Sequence, residues 1–69
     1  MTALTPRQRE VLGLRARGLT VMEAADRMGV SFAAARAHSH DAYERLGARC
    51  LAEALLASGI VVLADEGEP

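Results

Sequence analysis

Lysine is missing from this 69-residue chain; all eight of its cations are arginine. Arginine used to the exclusion of lysine is the mark of a GC-rich genome and suggests a bacterium or one of its phages. Aromatic residues are nearly absent too: Phe32 and Tyr43 are the only ones, so no core can be assembled around large rings. One cysteine, Cys50, excludes a disulfide framework within the chain and fits a reducing, cytoplasmic compartment. No apolar run approaches the ~18 residues of a membrane span, and no signal-peptide pattern opens the chain. The length leaves room for only one small domain, with no repeat and no low-complexity stretch.

A catalytic or metal-binding constellation is also lacking. The run "HSHD", His38 to Asp41, holds serine, histidine and aspartate, but neighbours on a helix point apart and cannot form a triad. His38 and His40 stand two apart, on different helix faces, so they are not a helical metal pair. The chain is therefore expected not to be an enzyme and to need no cofactor and no metal.

What is present is apolar mass of small size. Half of the residues are apolar, chiefly Ala, Leu and Val, and alanine favours helix because it loses no side-chain entropy there. Charge is uneven. The net charge is −1, but Asp65, Glu66 and Glu68 crowd into the last five residues. Residues 1–64 carry eight arginines against six acids, a net of +2. That permits nucleic-acid binding without being a strongly cationic footprint.

Start and stop signals divide the chain into four helices. Thr5, Pro6 and Gln8 form a capping box with proline at the first helical position, and the helix is expected to reach about Arg17, before Gly18. Thr20 and Glu23 form a second box; that short helix ends near Met28, at Gly29. After the connection "GVS", Ser31 caps a third helix running to about Leu46, where Gly47 stops it. A fourth covers about Leu51 to Ser58, with Cys50 at a cap position it fills poorly, Gly59 as the stop and Ile60 following. Residues 61–63 read equally as an added helix or a strand-like arm, and residues 65–69 as a frayed acidic tail. Residues 1–64 form the expected domain: an all-α four-helix bundle in which two helices joined by "GVS" make a helix-turn-helix.

The motifs "LTPRQREVL", "GLT", "AADRMGVS", Arg36-Ala37-His38 and "RLG" fall in an order and spacing that resembles the LuxR-type helix-turn-helix, also called the GerE or NarL-type DNA-binding domain. The resemblance runs without gaps over residues 4 to about 61, here as a stand-alone domain. It implies a four-helix fold whose third helix enters the major groove of double-stranded DNA, whose fourth helix forms a two-fold dimer contact, and whose role is transcription regulation, often through RNA polymerase.

On a helical wheel, Ala33, Arg36, Ala37, His40 and Glu44 share one face of the third helix, with Asp41 beside it. By resemblance, Arg36, Ala37 and His40 are the base-contacting residues. A guanidinium at Arg36 can pair bidentately with guanine O6 and N7. Thr20, Arg45 and Arg49 are the expected phosphate contacts, with Arg7 and Arg9 at the edge. Several positions depart from the pattern. Val21 and Met22 stand where the family usually has Asn and Lys, and Leu51 where it usually has Arg. Asp41 and Glu44 are acids where polar or basic residues are usual. Losing about three phosphate contacts lowers the salt slope by roughly 3. Asp41 or Glu44 with Arg45 can form ordinary surface ion pairs.

The inward face of the third helix, Ala35, Ser39 and Ala42, is small, which predicts a thin core and modest monomer stability. The fourth helix is apolar nearly all round and needs burial on more than one face. Leu51, Ala54, Leu55 and Ser58 share one surface, and Ala52 and Leu56 lie on another. Ala52, Leu55, Leu56 and Ile60 are the candidates for a homodimer interface. A rival reading keeps the frame but not the DNA: Asp41, Glu44, Val21, Met22 and Leu51 all disfavour it, and the chain would then pair with a related regulator or bind RNA polymerase or a sigma factor.

Overall fold

The computed structural model describes residues 3–60, which contain four α-helices and no strand. They are α1 (Pro6–Ala16), α2 (Val21–Met28), α3 (Phe32–Leu46) and α4 (Leu51–Ser58). The expectations for residues 61–64 and for the acidic tail lie outside the described residues. Three of the four helices match the signals read from the sequence at both ends. Helix α1 stops one residue earlier than expected, with Arg17 as its C-terminal cap.

The caps explain where the helices begin. Thr5 Oγ1 accepts from Gln8 N at 3.1 Å while Gln8 Oε1 accepts from Thr5 N at 3.1 Å. Thr20 and Glu23 repeat the exchange at 3.1 and 2.9 Å. Ser31 Oγ accepts from Ala34 N at 3.1 Å. Each cap gives a partner to N–H groups that a helix N-terminus otherwise leaves to water. Helix α4 is the exception. Cys50 makes no side-chain cap bond, and Glu53 Oε1 accepts from Arg49 N, one residue before the cap, at 2.8 Å.

Helix α3 is bounded by left-handed glycines on both sides. Gly29 (φ 71°) ends α2 and Gly47 (φ 65°) ends α3, a region where a side chain is strained. At each, the next residue reaches back: Val30 N donates to Ala25 O at 3.1 Å and Ala48 N to Tyr43 O at 2.9 Å. The first of these closes the turn between α2 and α3 and folds Val30 onto the core.

The core has two parts, both built on α1. Val11 packs with Ala24 and Met28 of α2, flanked by Leu14 and Val30. Leu12 packs with Ala42 of α3 and Ala54 of α4, flanked by Leu4, Leu46, Leu51, Leu55 and Ile60 among others. Leu12 and Val11 are the largest side chains that are fully buried; most other core residues are alanine. With so many alanines the core is thin, as its composition implies. Gln8 is buried as well, its amide oxygen held by the Thr5 cap. Arg7 ties α1 to the C-terminal end of α2 by donating to Met28 O at 3.2 Å, where the helix dipole favours a cation.

Candidate nucleic-acid interface

Burial separates α3 into two faces. Ala35, Ser39 and Ala42 point inward and are buried. Ala33, Arg36, Ala37, His40, Asp41, Glu44 and Arg45 are exposed. The structure thus brings Arg36, Ala37 and His40 together on one open face. Arg36, His40 and Glu44 follow one another at single-turn intervals, a stripe of about 12 Å at 1.5 Å per residue. Arg36 has no hydrogen-bonding partner among the described residues, so its five donors are available. The alanines at 33 and 37 keep the surface beside it low.

The other cations in question are engaged. Arg45 Nη1 donates to Ala3 O at 3.1 Å, anchoring the segment before α1 to the end of α3. Arg49 Nη2 meets Glu53 Oε2 at 3.4 Å. Both remain exposed, so a phosphate can reach their guanidinium groups. The pairs considered for Arg45 with Asp41 or Glu44 do not form, because Glu44 Oε2 meets His40 Nε2 at 3.1 Å and Arg45 turns to Ala3. The His40–Glu44 pair was legible as an i,i+4 spacing; the Arg45 bond, which spans 42 residues, was not.

Thr20 sits at the N-terminus of α2, exposed, with its hydroxyl oxygen accepting from Glu23 N. Its own N–H is taken by the Glu23 carboxylate, which occupies part of the space an anion would use. Leu51, at a position expected to carry a cation, instead packs against the Leu12 cluster, so that departure serves the core. Met22, at a comparable position on α2, is 60% exposed and serves no core. On α4, Leu56 is 85% exposed and Ala52 is exposed, whereas Leu55 and Ile60 pack partly on the domain's own second cluster.

Among the described residues no group of three metal-ligating side chains is assembled, and no helix is long and apolar enough to cross a membrane. The turn from Gly29 to Ser31 joins a short supporting helix to a longer one with an open polar face. That arrangement defines a helix-turn-helix domain. Residues 2–58 match the GerE family, the bacterial regulatory proteins of the luxR family, and the chain belongs to it. It is accordingly a DNA-binding helix-turn-helix regulator of a family of regulators rather than enzymes. No curated protein matches the chain.

Proposed function

We propose that this protein regulates transcription by placing α3 in the major groove of double-stranded DNA. The single observation that carries the reading is the uncovered face of α3, on which Arg36, without a partner among the described residues, is set among small residues while the opposite face is locked into the core. In this account Arg36 reads guanine through O6 and N7, Ala37 lets the helix approach and meets a thymine methyl, and His40 touches a base edge or phosphate. Thr20, Arg45 and Arg49 hold the backbone on either side, and these contacts set register more than sequence. The protein works as a homodimer in which Ala52 and Leu56 of one α4 meet those of the other, with Leu55 and Ile60 at the margin of the contact. RNA polymerase is a further partner, the working compartment is the cytoplasm, and the domain extends to residue 64.

The test is fluorescence anisotropy of a generic GC-rich duplex titrated with the protein at about 50 and 200 mM salt, the span over which phosphate contacts change affinity most. Micromolar binding that weakens with salt supports the reading. Absence of binding at low salt contradicts it.

A second reading is favoured by one observation: the most exposed large apolar side chains include Met22 and Leu56, neither suited to phosphate. On this reading the domain pairs through α4 with a related regulator and weakens that regulator's hold on DNA. It predicts a stable heterodimer under conditions in which the domain alone leaves the duplex free.

A further inference from the structure

The His40–Glu44 pair determines what His40 can offer to DNA. His40 Nε2 lies 3.1 Å from Glu44 Oε2, with the two side chains 68% and 69% exposed. A carboxylate only accepts, so the ring nitrogen facing it carries the hydrogen. A neutral imidazole has one N–H and one lone pair. With Nε2–H directed at Glu44, the free nitrogen of a neutral His40, Nδ1, is therefore an acceptor. Phosphate oxygens, guanine O6 and N7, adenine N7 and thymine O4 are acceptors as well. Neutral His40 thus meets most of the groove and all of the backbone acceptor to acceptor. A proton on Nδ1 reverses this: His40 becomes a cation with a free donor, and Glu44 remains paired with Nε2–H.

We propose that Glu44 is a positioning residue that fixes His40 through Nε2–H, and that α3 binds DNA with uptake of one proton from solvent at His40 Nδ1. The inference rests on the reading that this face binds DNA. Electrostatics support it from both sides. With His40 neutral, Arg36 and Arg45 on the outer face of α3 are only balanced by Asp41 and Glu44, so the face has no net charge to offer a polyanion. Protonation makes it cationic, and the phosphates favour the protonated form in return. Charges on the neighbouring helices are occupied elsewhere or unlinked to the pair. On α1, Arg7 is held by Glu10 and Met28 O, and Arg15 donates to Leu19 O. On α2, Glu23 caps Thr20, and ahead of α4, Arg49 pairs with Glu53. Arg9, Arg17, Asp26 and Arg27 complete the set, and no ion pair among the described residues joins any of these groups to His40 or Glu44. Asp41 is the one acid adjacent to His40 on α3.

The experiment measures Kd for a rhodamine-labelled GC-rich duplex from pH 5.5 to 8.0 at fixed low ionic strength, for the intact chain and for His40→Gln, His38→Gln and Glu44→Ala. The chain has two histidines, so His38→Gln is the control for the second imidazole. One linked proton changes Kd by at most tenfold per pH unit, so affinity should rise about tenfold between pH 8 and pH 6, where imidazoles ordinarily titrate. His38→Gln should keep that rise and His40→Gln should lose it. Glu44→Ala leaves Nε2–H without its acceptor and free to donate to DNA, so it should bind more tightly than the intact chain at pH 8 and its rise toward pH 6 should be smaller. Duplex binding with the same pH profile in the intact chain and His40→Gln overturns the proposal while leaving the DNA-binding reading standing. The same rise in Glu44→Ala as in the intact chain removes Glu44 from its positioning role. No duplex binding by the intact chain at any pH overturns both readings.

Discussion

Helices α3 and α4 are anchored in the same way and present opposite surfaces. Each places one fully buried alanine, Ala42 or Ala54, against Leu12, and each ends in a left-handed glycine. Beyond that they diverge. Helix α3 has 15 residues, a bonded serine cap and an outer face of arginine, histidine, acids and alanines. Helix α4 has 8 residues, a cysteine that makes no cap bond and an outer face on which Leu56 stands 85% exposed. A thin alanine-rich core asks little of either helix's outer face. In the proposed function one face serves polar recognition and the other association, and the two roles can be lost separately.

The comparison is broken most severely at the residue the two helices share. Leu12→Ala removes the side chain on which both alanines rest and should cost about 2–5 kcal/mol, read as a fall in the urea midpoint. In a domain of this size that is enough to threaten folding, and an unchanged midpoint would mean that the helices are held by something else. Arg36→Ala acts on α3 alone. It should weaken duplex binding by about 1–3 kcal/mol, the range for a good bidentate base contact, while the urea midpoint stays put. Cys50→Ser acts on α4 alone: supplying the missing cap should raise stability by about 0.5–1 kcal/mol with no change in DNA affinity. Leu56→Ala should change folding stability by no more than about 0.5 kcal/mol, as expected at an exposed position, yet it should shift the protein from dimer to monomer in sedimentation equilibrium. A monomeric parent chain at high micromolar concentration would remove α4 from the association role.

The elements of the fold were open to sequence reasoning because their signals are local. A cap and its partner stand three residues apart, as in Thr5 with Gln8 and Thr20 with Glu23, and a left-handed glycine acts at its own position. The inward residues Ala24, Ala25 and Met28 of α2, and Ala35, Ser39 and Ala42 of α3, follow from helical periodicity alone. What escaped were side chains whose partners are set by tertiary placement or by competition. Arg45 finds a carbonyl 42 residues away, and Arg7 finds the end of α2 21 residues away. Glu53 bypasses the expected cap residue for Arg49 N. On the candidate site, periodicity placed Arg36, Ala37 and His40 on one face but could not rank the cations by availability. Among the described residues Arg36 has no partner while Arg45 and Arg49 are engaged, and that difference lies in packing beyond the helix.

The most direct test of the central claim is residue-by-residue mapping: two-dimensional 1H–15N spectra of the labelled chain titrated with a short GC-rich duplex at low salt. The account predicts that the amides of Arg36, Ala37 and His40, and of Thr20 at the start of α2, shift progressively as duplex is added. The amides of Ala52 and Leu56 on the outer face of α4 should stay in place. Shifts confined to α4, or none in α3 while the duplex is bound, would contradict it.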